Sequence, residues 1–285
     1  MFQPQNTKIV FLGTPNFAVP SLIKLAKAGY NIIGVVTQED KPMGRKQIIT
    51  PPPIKIEAQK LGLRIYQFAK IDEAATEEIK KLSPDLIIVV AYGQILPQAF
   101  LDIPKYGCLN IHPSLLPKYR GASPIQHAIL NGDRQTGVTI MLLDAKMDHG
   151  PIIAQEKFEI IEDDDSESLS NHLACEGAEM LTKILPDYLE GKIQLWQQDH
   201  DEATFTKMIK NETAKIDWQK TPTEIERCIR AFFPWPGAWT DITGKKVKIL
   251  KAHLENGELA LDKVQVEGKA SMSYQDYLRG NKPLL

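Results

Sequence analysis

Cys108-Leu109-Asn110-Ile111-His112-Pro113-Ser114-Leu115-Leu116-Pro117 reads as a short strand that runs into a proline-rigid turn, and Asp148 follows 36 residues after His112. Side chains alternate along a strand, so Asn110 and His112 leave the same face. Pro113, Pro117, Gly121 and Pro124 stop the strand and fix the turn behind it. An amide, an imidazole and a later carboxylate can stabilise a developing oxyanion and move protons. Each residue alone would pass for a turn cap at a strand end. Together, with Asp148 beside Gly150, they point to acyl transfer.

The preceding half of the chain alternates apolar runs with helical patterns, as a doubly wound, mostly parallel, Rossmann-like α/β sheet does. Strands are predicted over 8–12, 31–37, 64–66, 85–91 and 107–112, with helices over 15–28, 53–61 and 72–81. Ile9-Val10-Phe11-Leu12 and Ile87-Ile88-Val89-Val90 are apolar on both faces, as central parallel strands are. In such a sheet ligands occupy the crevice at the carboxyl ends of the strands, which is where Asn110 and His112 fall. A helix over 123–131, a strand over 137–143 and a long helix over 166–191 follow.

Residues 192–215 are polar and weakly periodic and read as a linker between a catalytic domain over 1–191 and a small domain over 216–285. The small domain opens with a helix over 221–233. Short alternating segments follow, with turn signals at Thr243-Gly244 and Asn256-Gly257, which predicts a shortened β-barrel-like domain of OB type. The net charge of −2 divides unevenly. Residues 1–204 carry 20 Lys and Arg against 26 Asp and Glu, and residues 205–285 carry 14 against 10. A basic tail on an acidic body suits a polyanionic partner or is ordinary surface scatter.

Other features exclude more than they suggest. Gly13-Thr14-Pro15 follows the first strand, but GxGxxG is absent and Pro15 lacks the N–H a pyrophosphate would use, which argues against a nicotinamide cofactor. Cys108, Cys175 and Cys228 are scattered, so buried free thiols are expected rather than disulfides or a zinc site. His127, His149, His172, His200 and His253 show no partner pattern and read as incidental. No apolar run approaches the roughly 18 residues of a membrane span, and residues 1–8 lack the apolar core of a signal peptide. A cytoplasmic monomer with no membrane contact and no metal is expected.

The stretch NIHPSLLPKYRGASPIQHAILNGDRQTGVTIMLLDAKMDHGPII closely resembles the N10-formyltetrahydrofolate-dependent formyltransferases. FLGTPNFAVPSL at 11–22, VVTQEDKPMGRKQIITPPPIK at 35–55, VVAYGQILP at 89–97 and KIDWQKTPTEIERCIRAFFPWPGAWT at 215–240 resemble the branch acting on initiator methionyl-tRNA. The resemblance implies 10-formyltetrahydrofolate as co-substrate and initiator methionyl-tRNA as partner, with Asn110, His112 and Asp148 catalytic. It implies that Ser114, Leu115, Leu116 and Pro117, with Tyr92, Gly93, Ile95 and Leu96, cradle the folate. It also implies that a basic loop bearing Lys41, Arg45 and Lys46 reaches toward the tRNA acceptor end. Gln47-Ile48-Ile49 stands where relatives often carry more lysine, which weakens the electrostatic attraction. In the tail Lys245, Lys246 and Lys248, beside Trp235 and Trp239, would face phosphates; a solvated edge strand is the plainer alternative.

One departure from the resemblance stands out: beyond Lys251-Ala252-His253 the chain runs quickly to Ser271-Met272-Ser273, so the terminal barrel is curtailed. Two rivals therefore stay open. One is an enzyme using the same donor on an amino sugar nucleotide; the other is a non-catalytic folate- or RNA-binding module.

Overall fold

Strands apolar on both faces form the middle of the sheet, because only there are both faces covered. The computed structural model describes residues 3–44, 46–242 and 244–284. Its strands in chain order are β1 (Lys8–Gly13), β2 (Asn31–Thr37), β3 (Lys41–Met43), β4 (Ile48–Thr50), β5 (Ile65–Gln67), β6 (Leu86–Val90), β7 (Cys108–His112), β8 (Arg120–Gly121), β9 (Gln135–Leu142) and β10 (Ile152–Glu159). They continue as β11 (Phe205–Thr206), β12 (Ala238–Ile242), β13 (Lys245–Glu255), β14 (Glu258–Val266) and β15 (Met272–Ser273). The helices are α1 (Val19–Lys27), α2 (Pro53–Lys60), α3 (Glu73–Lys81), α4 (Gln98–Leu101), α5 (Pro124–Asn131), α6 (Ser166–Leu189), α7 (Pro222–Phe232) and α8 (Tyr274–Leu278).

Two compact units share the chain. The first takes Met1–Arg120, Gly137–Phe158 and Ser170–Phe205; the second takes Gly121–Thr136, Glu159–Leu169 and Thr206–Leu285. The first holds a seven-stranded sheet in the order β10-β9-β7-β6-β1-β2-β5. β7, β6, β1, β2 and β5 pair in parallel, and β9 runs antiparallel to β7. From β1 the chain winds outward to β2 and β5, then returns to build β6 and β7 on the other side. The switch point thus lies between β1 and β6, where the Thr14 hydroxyl donates to the Tyr92 carbonyl at 2.9 Å.

Local chemistry sets the helix ends. The Asp72 carboxylate accepts from the Ala75 amide at 3.0 Å and caps α3, while Gly29, at φ 78°, lets the chain leave the end of α1. The predicted helix over 15–28 begins instead as a 3₁₀ turn at Asn16–Ala18, after which Pro20 takes an early position in α1, where its missing N–H costs nothing. Behind β7, α6 comes very close. A Cβ on Gly177 would meet the Ile111 Cγ2 at 2.8 Å. Ile111 therefore points at α6 while Asn110 and His112 point away from it.

The second unit contains α5, α7, α8 and the antiparallel sheet β12-β13-β14-β15. The Thr221–Glu224 capping box starts α7, whose Ile225 and Ile229 pack on Val247, Ile249 and Val264. Asn256 and Gly257, at φ 52° and 86°, turn the β13–β14 hairpin, as Asn-Gly does when both central residues need positive φ. Residues 192–215, expected as a linker, carry a 3₁₀ turn at His200–Glu202, another at Glu212–Ala214, and β11. The hairpin β3–β4 and the strand β10 lay outside the predicted elements.

Candidate active site

β7 is buried along its whole length between β6 and β9, with Asn110 opposite Met141 and His112 opposite Thr139. That register carries Asn110 and His112 to the carboxyl end of the sheet on one face. His112 is only 4% exposed, and its Nε2 lies 3.0 Å from the Tyr119 carbonyl. A carbonyl accepts only, so Nε2 carries the proton and Nδ1 becomes the working nitrogen. Nδ1 stands 3.8 Å from Oδ2 of Asp148. This is an ion-pair distance too long for a direct hydrogen bond, so a third polar atom can sit against both.

Asp148 holds its place at φ 48°, a left-handed conformation that Asp tolerates better than most residues. Gly150 leaves no room for a side chain, because a Cβ there would lie 1.9 Å from the Leu142 carbonyl oxygen. The turn after His112 is knitted to β9 through one hydroxyl. Thr139 Oγ1 donates to the Ser114 carbonyl at 2.6 Å and accepts from the Leu116 amide and from Gln155 Nε2. Gly137 is required as well, since a Cβ there would lie 2.4 Å from the Glu156 carbonyl oxygen.

The residues expected around the folate divide. Ser114 is fully buried with its hydroxyl on the Lys118 carbonyl, and Leu116 packs on Met141 and Ile152. Tyr92 is sunk in the core against Val10, Leu12 and Phe100, where burial pushes its phenol up to about 12. The side chains of these three are packed into the scaffold that shapes the loops. Leu115 and Pro117 are half-buried, Gly93 is exposed at φ 83°, Leu96 is half-buried, and Ile95 is 90% exposed at the end of β6. Leu115, Pro117, Gly93, Ile95 and Leu96 are accessible to a ligand.

Three residues beside Asp148 carried no signal in the sequence. Arg120 is 3% exposed, and its Nε and Nη2 donate to Gln198 Oε1 at 3.1 and 2.6 Å. Gln198 Nε2 donates to the Asp148 and Gly150 carbonyls at 3.0 and 2.8 Å. His200 Nδ1 lies 2.9 Å from Arg120 Nη2 and its ring stacks on His149 at 3.9 Å, so both histidines have partners that the sequence did not show. His149 in turn meets Asp144 at 2.7 Å. Burial, then the neighbouring His149 and Arg120, holds the His200 imidazole below its ordinary value. Burial lowers Arg120 too, against the pull of Asp148 and Asp144. Cys108 shares the strand face of Asn110, but burial pushes its thiol up to about 12, so it is no nucleophile.

The residues expected at the tRNA differ among themselves. Lys41 donates to Gln38 at 2.6 Å, Lys46 is exposed, and Arg45 lies outside the described residues. The hairpin β3–β4 presents Met43, Ile48 and Ile49 to solvent. In the second unit strand alternation corrects the expected cluster. Lys246 and Lys248 share a face while Lys245 leaves from the other. Lys246 Nζ sits 3.8 Å over the Trp239 ring, and Lys248 Nζ is bound to the Pro236 carbonyl at 2.6 Å.

The formyl transferase family model matches residues 7–185, and that of the formyl transferase C-terminal domain matches 208–260. The chain belongs to the formyl transferase family. The chain is 41% identical to the methionyl-tRNA formyltransferase of Bacillus cereus (strain B4264), over 97% of its own length and 96% of that relative's. The match to the methionyl-tRNA formyltransferase of Bacillus thuringiensis (strain Al Hakam) has the same extent. Among solved structures, the sugar 3N-formyl transferase WlaRD superposes with a TM-score of 0.69 at 23% identity, covering 93% of this chain and 99% of that one. Methionyl-tRNA formyltransferase from Clostridium thermocellum superposes with a TM-score of 0.61 at 18% identity, covering 91% and 98%. Both likenesses speak to the fold of this formyl transferase. Among the described residues, no helix is long and apolar enough to cross a membrane and no acidic, His or Cys cluster is arranged for a metal ion.

Proposed function

We propose that this formyl transferase moves the formyl group of 10-formyltetrahydrofolate onto the α-amino group of methionine carried by initiator tRNA. The observation that carries the choice of acceptor is the 41% identity to relatives named for methionyl-tRNA, sustained across both units. The exposed Ile95 and half-buried Leu96 at the switch-point end of β6 offer an apolar ledge for a flat pterin.

The chemistry follows from the two nitrogens of His112. The amine attacks the formyl carbon, a new C–N bond forms, and the carbonyl electrons move to oxygen. The Asn110 amide is placed to donate to that oxygen. With Nε2–H committed to the Tyr119 carbonyl, Nδ1 of the neutral ring takes the amine proton. The resulting imidazolium is balanced by Asp148, 3.8 Å away, and its Nδ1–H now donates to the oxyanion. Collapse restores the C=O bond and breaks the bond to N10, which receives the same proton. No covalent enzyme intermediate is needed.

The test supplies labelled 10-formyltetrahydrofolate with charged initiator tRNA, charged elongator tRNA or a 4-amino sugar nucleotide. Label is expected on initiator methionyl-tRNA. Label on the sugar alone would overturn the acceptor, and none on any amine would favour a binding module. Asp148→Asn should retain folate binding and lose at least 100-fold in rate.

A further inference from the structure

Gln198 sits in a polar stretch with no catalytic motif, yet it is 5% exposed and both ends of its amide are committed around Asp148. Its segment is fastened to the sheet edge, where Trp196 and Ile152 exchange backbone hydrogen bonds at 2.8 and 3.1 Å. From that anchor both protons of Nε2 are used, one on the carbonyl of Asp148 and one on that of Gly150. Oε1 takes two N–H groups of Arg120, whose own Nη2 also meets His200. One planar group thus ties the left-handed Asp148 turn to a buried guanidinium whose charge acts on Asp148 and Asp144.

We infer that Gln198 is a positioning residue, whose amide fixes the Asp148 turn and brings Arg120 beside it so that the carboxylate stays aimed at His112. This rests on the reading of Asp148 as the charge partner of His112. Only an amide suits the position. It offers two donors and an acceptor in one plane, whereas a carboxylate has no donor for the two carbonyls and a methionine has nothing for Arg120. Plain packing would accept an apolar side chain of the same length; this set of partners does not. Among the described residues, the charged and titratable groups around the turn include His112, Arg120, Asp144, Lys146, His149 and His200.

The test uses the full-length chain with Gln198→Glu and Gln198→Met, each alone and combined with Asp148→Asn. Rates, KM for the folate donor and thermal midpoint are measured. Both single variants should lower kcat at least 30-fold while KM stays within threefold and the midpoint within about 5 °C. In the Asp148→Asn background neither change should cost more than about threefold, since Gln198 acts through Asp148. Wild-type kcat in either single variant would overturn the inference. So would a midpoint drop above 10 °C in both, or a further tenfold loss in the Asp148→Asn background. If Asp148→Asn itself keeps wild-type rate, the reading of Asp148 fails instead, and the two failures are told apart.

Discussion

His112 offers a substitution series whose activity and stability should run in opposite orders. Its Nε2 donates to the Tyr119 carbonyl at 3.0 Å while its Nδ1 faces Asp148. The amide of His112→Asn reaches the place of Nδ1 but not Tyr119; that of His112→Gln reaches Tyr119 but not Nδ1. His112→Asn therefore keeps a donor for the oxyanion and loses the proton relay, which is worth 10²–10⁴, or about 2.7–5.5 kcal/mol. His112→Gln loses the relay and the donor, whose removal alone typically costs about 2.7–4 kcal/mol. The two losses are not additive, but His112→Gln should fall at least tenfold below His112→Asn. Stability reverses. His112→Asn gives up the Tyr119 bond, worth about 0.5–1.5 kcal/mol, so its thermal midpoint should lie about 1–6 °C below that of His112→Gln. Single-turnover transfer of labelled formyl and thermal unfolding of both variants read the two orders. A His112→Gln enzyme faster than His112→Asn would refute the assignment of Nδ1 as the working nitrogen, and near-wild-type rates in both would remove the ring from the proton path.

Three further outcomes can be measured. Gly150→Ala forces a Cβ to within 1.9 Å of the Leu142 carbonyl, so it should cost about 1–3 kcal/mol or more and depress kcat through Asp148; an unchanged thermal midpoint would count against the tight turn. At alkaline pH, Cys108 stays protonated in the folded chain up to about 12 but ionises in the unfolded chain from its ordinary 9.0. Its contribution is therefore complete below pH 9 and is lost between 9 and 12, with Cys228, held up to about 11, acting the same way. A melting temperature flat from pH 8.5 to 11 would contradict this. In the tail, Lys246→Ala should lower the salt slope of tRNA binding by about 0.9 per phosphate contact with little change in stability. Lys248→Ala, which releases the Pro236 carbonyl, should lower the thermal midpoint instead, and equal effects of the two on the salt slope would argue against the division.

The strand 108–112 and the shared face of Asn110 and His112 were legible because a two-residue period is a local property. So was the β13–β14 turn, because Asn-Gly meets its backbone demand by itself. Loops carry no such period, so nothing local in the sequence showed that the side chains of Ser114, Leu116 and Tyr92 are buried inside the scaffold. Along β13 the same two-residue rule already separates Lys245 from Lys246 and Lys248, so reading the three as one patch gave too much weight to their nearness in sequence. Arg120 and Gln198 pose the opposite problem. Their bonds span 78 residues, and the bond from Gln198 to the Asp148 carbonyl spans 50. Nothing local in a polar stretch distinguishes a buried glutamine from an exposed one until the edge of β10 captures Trp196 and fixes where the next two side chains point. The motif supplies Asn110, His112 and Asp148; the sheet edge supplies the backbone contact that places Gln198 beside the Asp148 turn. A window that ends at Gly150 misses the Gln198 amide bound to the Asp148 and Gly150 carbonyls, because Gln198 arrives after the long helix.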